Sequence, residues 1–206
     1  MTEIAPVLGV LAVLVGLADT FPYVRDTLRG VTRPHRGTWL VWSTLAIVVF
    51  LSQRADGASW SLLMAGAQAL LTGLIFGLSI RRGEGCAWSG DWILIALAFT
   101  GVLGWIVADE PVIATVCVVI ADLIGAGLML PKAYRDPHSE TLSTFALASL
   151  SGALGAGAVG AFAPALLLYP VYFCVVNGAL ALLLYWRRAA LSAAPAVATG
   201  ARAWAG

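Results

Sequence analysis

The sequence predicts an all-α, polytopic membrane protein, with seven transmembrane helices set out as two parallel three-helix bundles joined by a linker helix. Three observations carry that prediction. Hydrophobic residues make up 60% of the chain and charged residues 11%, with a mean hydropathy of +0.90, which is more apolar surface than a water-soluble domain of 206 residues could bury. Apolar runs of about 20 residues, long enough to cross a hydrocarbon core, recur along the chain. Finally, one short phrase occurs twice: "PHRGTWLVW" at 34–42 and "PHSETLSTF" at 137–145 share Pro-His, a threonine three residues after the His, and a closing aromatic.

The elements follow in order. A first span is expected at 4–24, behind an acidic lead, "MTEIAPVLG", that does not read as a cleaved signal. Further spans are expected at 38–53, 58–80, 91–108, 111–131, 141–163 and 165–186. Pro111 suits the first turn of the fifth span, and Pro164 divides the last apolar block into two crossings. The tail "LSAAPAVATGARAWAG" is rich in small residues and reads as disordered. The predicted units are therefore 1–83, a first three-helix repeat; 84–110, a linker helix; 111–188, a second repeat; and 189–206, a cytoplasmic tail.

Cations set the sidedness. Arg25, Arg29, Arg33, Arg36, Arg81, Arg82, Lys132, Arg135, Arg187, Arg188 and Arg202 fall on the side of the first loop, and Arg54 alone falls on the other. Cationic loops stay in the cytoplasm on insertion, so the N-terminus is expected outside and the C-terminus inside. The expected location is the cell (inner) membrane.

The echo extends beyond the two nonapeptides. In each copy an apolar helix is read as ending at a proline, Pro22 in "ADTFPYVRD" and Pro131 in "LMLPKAYRD". Arg-Asp, a Pro-His loop, a second helix opening at Thr38 or Thr141, and a third helix closing on Arg-Arg follow in both. Three crossings reverse direction, so the extra span "DWILIALAFTGVLGWIVA" is needed for both units to insert the same way up. On this layout the chain resembles the SWEET and PQ-loop transporter superfamily over residues 4–186, a superfamily built on parallel repeats. "PY" and "PK" stand where that family has Pro-Gln, and the second helices lack the proline that SWEETs carry there. Nicotinamide riboside transporters are similar in layout. The resemblance implies transport of a small polar solute (a sugar, an amino acid or a vitamin-like molecule) by alternating access. The alternative is a non-transporting membrane sensor or scaffold that binds a ligand or partner with the same fold.

Polar groups inside the spans are the candidate site, because each is costly in lipid. Asp122 lies near the middle of its span, on a face with Thr115, Gly125 and Met129. It reads either as a substrate- or proton-coupled group or as a protonated, interhelically bonded one. Asp19, one turn before Pro22, lies within reach of water or a loop arginine. Asn177 and Gln68 fall about one turn apart when the third helices are aligned on their Arg-Arg ends, and Thr72 extends the Gln68 face. Interhelical bonding explains these two amides as well as a shared cavity does. Trp42 and Phe145 occupy matching places in the second helices and could line a pocket. Trp39, Trp60, Trp88, Trp92 and Trp186 read as interface anchors. Pro22 and Pro131 are candidate hinges for a cytoplasmic gate, with Asp19 beside the first. Glycines 152, 155, 157 and 160 allow close helix approach, and His35 and His138 read as loop residues.

Several classes are disfavoured. Lys132 is the only lysine, so no seventh-helix Schiff base is available to retinal. Asp122 sits in "IADLIG", without the Gly-x-Gly-Asp setting of an intramembrane aspartyl protease, and no span carries a histidine. Cys86, Cys117 and Cys174 lack metal-type spacing. No nucleotide loop or haem-ligand pair occurs. No enzyme activity, cofactor, metal or nucleic-acid partner is expected. The partners expected are a small-molecule solute and the lipid bilayer, with a homo-oligomer left open.

Overall fold

A computed structural model describes residues 4–55, 60–86, 89–107, 111–159, 162 and 164–193. These form seven α-helices: α1 (Ile4–Leu28), α2 (Arg36–Ala55), α3 (Trp60–Arg82), α4 (Ser89–Val107), α5 (Pro111–Arg135), α6 (Leu142–Ala158) and α7 (Pro164–Ala193). One 3-10 turn, Pro137–Ser139, precedes α6, and no strand occurs among the described residues. Among the described residues three stretches are long and apolar enough to cross a membrane: Ile4–Leu28, Val116–Arg135 and Leu167–Ala193.

The pattern on α1 is reversed relative to a helix of a soluble protein. Val7, Val10, Leu14 and Phe21 share one face and are 57%, 60%, 57% and 71% exposed. The inward face carries Gly9, Ala12, Gly16, Asp19 and Thr20 instead. An apolar exterior around a small and polar interior is stable where the surroundings are hydrocarbon.

Helix neighbours define the architecture. α1 packs on α3 and α6, α3 on α2, α2 on α5, α5 on α7, and α7 on α6, closing a six-membered ring. α4 packs on α5 and α2. The segments after α1 and after α5 meet at one end of this ring, where the Arg33 N–H donates to the Ser139 carbonyl at 2.8 Å. The hydroxyls of Thr32 and Thr141 lie 2.5 Å apart there, and the Arg33 guanidinium pairs with Asp136. α3 and α7 also finish at this end. Arg82 donates to the carbonyls of Thr27 and Leu28 at the end of α1, and Arg187 donates to the Tyr134 carbonyl near the end of α5. In both cases a cation donates to acceptors at a helix C-terminus, the Thr27 carbonyl also accepting the Gly30 N–H at 3.1 Å.

The helix positions agree with the sequence reading to within a few residues, with three corrections. α1 and α5 do not stop at Pro22 and Pro131 but continue through them to Leu28 and Arg135. A proline removes one donor and still permits helix on both sides when packed neighbours hold the chain. α6 stops at Ala158, short of the expected 163. α7 runs to Ala193, so 189–193 is helix rather than tail, and 194–206 lie outside the described residues.

Of the sixth-helix glycines, Gly152 is the one that the packing requires. A Cβ there would lie 2.6 Å from the Cys174 nitrogen and 2.9 Å from the Pro170 carbonyl oxygen, so α6 and α7 touch backbone to backbone. Gly155 and Gly157 would meet only side chains, and Gly160 lies outside the described residues.

Candidate functional site

The ring encloses a cavity of about 530 Å3, to which all six of its helices contribute. On α1 the lining residues Gly9, Ala12, Gly16, Asp19 and Thr20 recur at three- and four-residue spacing. α6 gives Thr144, Phe145, Ala148, Ser151 and Gly152 at the same spacing, and α7 gives Tyr169, Phe173 and Asn177. Trp39 and Trp42 come from α2, Thr72 and Ile75 from α3, and Val118 and Asp122 from α5. Small residues on α1 and α6 leave the space, and bulky rings on α2 and α7 shape its walls.

Asp19 and Asp122 both face this cavity. Asp122 Oδ2 accepts the Tyr172 hydroxyl at 2.6 Å, and its backbone carbonyl accepts the Trp42 indole N–H at 3.4 Å. Asp19 Oδ1 accepts the Thr20 hydroxyl at 3.0 Å, and its backbone carbonyl accepts the Thr144 hydroxyl at 2.8 Å. Neither carboxylate makes an ion pair among the described residues. Asn177 is buried, with Nδ2 donating to the Phe173 carbonyl at 2.9 Å, which leaves its side-chain oxygen as the acceptor it can offer.

Towards the loop end the cavity is floored by aromatic packing. Tyr23 stacks tilted on Trp39 at 4.9 Å and edge-on to Phe145 at 6.4 Å. Beneath this floor lies Glu140, whose side chain is fully buried. Its Oε2 accepts the Tyr23 hydroxyl at 2.7 Å, its Oε1 accepts the Lys132 ammonium, and the Trp39 indole donates to the same Tyr23 oxygen at 3.0 Å. Tyr23 and Lys132 each follow the proline of their helix, so matching positions converge on one carboxylate. Burial pushes the Glu140 carboxyl above the ordinary carboxylate range, while Lys132 and Tyr23 pull it down. Lys132 also lies 3.8 Å from Glu84, and Arg33 lies 3.5 Å from the same Glu84.

Of the residues expected at the site, Asn177, Trp42, Asp122, Thr72, Phe145 and Asp19 all line the cavity. The Gln68 backbone belongs to α3, and its side chain lies outside the described residues. Pro22 and Pro131 are inside their helices, each one residue before the Glu140 contact. Trp39 is no interface anchor, being 5% exposed and bonded to Tyr23, whereas Trp92 and Trp186 are exposed at 57% and 67%. His35 lies in the loop just before α2, as expected. It is buried, and its Nδ1 accepts the Thr38 N–H at 3.3 Å. Trp88 lies outside the described residues.

Sequence reasoning missed Tyr169, Tyr172 and Glu140. Tyr169, Phe173 and Asn177 repeat at four-residue spacing, a signal that could have found the first of them. No protein-family model, curated protein or solved structure matches this chain.

Proposed function

We propose that the protein is a membrane transporter or facilitator of a small polar solute, working by alternating access. In this reading all seven helices span the bilayer. Helices α1–α3 and α5–α7 are two parallel units related by a pseudo-two-fold axis along the membrane normal, and α4 is the linker between them. The N-terminus faces outward and the loop end faces the cytoplasm, as the distribution of cations requires. The resemblance to the SWEET and PQ-loop superfamily belongs to the same proposal.

One observation carries it. A cavity with few polar groups lies at the centre of a ring of helices, and the segments that follow matching helices shut one of its ends. A solute site on the axis between two units, closed on one side by contacts between those units, is what rocking-type alternation needs. The Tyr23–Glu140–Lys132 latch and the Arg33–Asp136 pair would have to break for the site to open to the loop side.

Reconstitution tests the reading. Purified protein in liposomes should accelerate uptake of at least one labelled solute class over protein-free vesicles, with saturation and counterflow. Flux no faster than in empty vesicles for sugars, amino acids, amines and vitamins alike would remove transport as the function.

A further inference from the structure

We propose that the solute this cavity takes is an organic cation, held by Asp122 and the aromatic walls; the inference rests on the transport reading and narrows it. Asp19 and Asp122 are the only charged side chains that line the cavity among the described residues, and no lysine, arginine or histidine joins them. Each receives one hydroxyl hydrogen bond, from Thr20 or Tyr172, and no cation. Two carboxylates in an apolar enclosure lack the counter-charge that buried anions normally find. An occupant with a positive charge supplies it. Wherever either carboxyl is ionised, an anion is repelled and a neutral polyol leaves that charge uncompensated.

The walls fit the same occupant. Trp39 and Trp42 meet edge to face at 5.2 Å, and Tyr169 stacks on Phe173 at 6.0 Å. Tryptophan and tyrosine faces attract ammonium and guanidinium groups through the ring quadrupole. Tyr172 holds one oxygen of Asp122, so the other remains to meet the ligand. The carboxylates also differ in depth. Asp122 stands nine residues before Pro131 and Asp19 three before Pro22, a difference of about 9 Å along the helix at 1.5 Å per residue. A cation leaving Asp122 towards the loop end therefore meets Asp19 just above the latch.

Two shape-matched pairs test this on the purified protein: choline against 3,3-dimethylbutan-1-ol, and n-butylguanidinium against n-butylurea. The charged member of at least one pair should bind, and its neutral partner should bind about 10- to 150-fold more weakly, the range for losing a hydrogen bond or contact to a charged group. Asp122→Asn, which keeps a hydrogen-bonding oxygen for Tyr172, should weaken the cation by a similar factor and so close the affinity gap between the members of a pair. Equal affinity within both pairs would overturn the proposal, as would failure of both cations to bind at concentrations on the order of 10 mM. The same pairs in liposomes separate the two readings. Saturable flux of a neutral solute without cation preference sinks this inference and keeps transport. Tight cation binding without flux of any solute keeps this inference and sinks transport.

Discussion

Replacing Glu140 by glutamine removes one charge from the loop-end latch and changes almost nothing in shape. Both carboxylate oxygens are engaged, one by the Tyr23 hydroxyl at 2.7 Å and the other by Lys132. Breaking a buried ion pair from one side costs about 3–5 kcal/mol, because the other charge is left uncompensated. Lys132 keeps Glu84 at 3.8 Å and the carbonyls of Arg33 and Ser139, so a loss of about 2–3 kcal/mol is expected here. Lys132→Met should cost a similar amount, since it strands the carboxylate instead. The double variant should be less damaged than the two losses added, with a coupling energy of at least about 1.5 kcal/mol. Unfolding in one fixed detergent, read by tryptophan fluorescence, measures all three.

If the latch exists only while the loop end is shut, the same loss shifts the open-to-closed ratio by about 30- to 150-fold. A cysteine placed at Thr20, on the cavity floor, should then label faster from the loop side in the Glu140→Gln background. Additive single losses, with coupling under about 0.5 kcal/mol and an unchanged labelling rate, would show that the three groups do not act as one latch.

Four further outcomes are expected. Asn177→Ala should weaken solute binding about 5- to 150-fold while the protein stays monodisperse, whereas a fall in thermal stability at unchanged affinity would make Asn177 interhelical glue. Gly152→Val should destabilise by at least about 1–3 kcal/mol, because the added atoms meet the α7 backbone at Cys174 and Pro170; normal stability would refute that close approach. Cysteines at Arg29 and His138, both exposed at the loop end, should be shielded together from an impermeant reagent in intact cells, and labelling of only one would break the parallel arrangement. Burial holds the His35 imidazole below its ordinary value of 6.5, with Asp91 and Glu84 pulling it up and Lys132 and Arg36 pushing it down. The unfolded chain therefore gains that proton first, stability falls as pH drops below 6.5, and His35→Asn should flatten that part of the profile.

The helices were legible in the sequence because apolar length alone decides them, and α4 and α5 begin within two residues of the expected positions. Prolines were misread because a stop rule drawn from exposed helices was applied where packed neighbours hold the chain on both sides. Asp122 and Asn177, which line the cavity, stood out in the sequence because any polar group in an apolar run is conspicuous. Their partners did not. Tyr172 lies 50 residues from Asp122, and Glu140 lies 117 residues from Tyr23, so only the ring closure brings each pair together. Trp39 shows the same limit, since an aromatic near a helix start looks alike whether it faces lipid or a tyrosine hydroxyl.

The dipeptides "PY" at 22–23 and "PK" at 131–132 look unrelated when each is read within its own helix. Seen together, they are two donors of different chemistry aimed at one shared acceptor. A phenol gives one hydrogen bond and an ammonium gives charge as well, so a carboxylate can satisfy both with its two oxygens. In the other Pro-His phrase the position matching Glu140 is Gly37, where a Cβ would press on Leu128, Ile95 and Cys86. A second carboxylate has no room there, and with one carboxylate already bonded to both donors none is needed. Glu140 thus has no counterpart at the corresponding place of the other Pro-His phrase. That makes an inverse exchange informative. Tyr23→Lys with Lys132→Tyr keeps one phenol and one ammonium around Glu140 and should retain most of the coupling, about 1 kcal/mol or more. Tyr23→Lys alone places two ammonium groups on one carboxylate and should cost more stability than the exchanged pair. If the exchanged pair is the worse of the two, the converging donors are not interchangeable and the latch depends on packing around Trp39 rather than on charge.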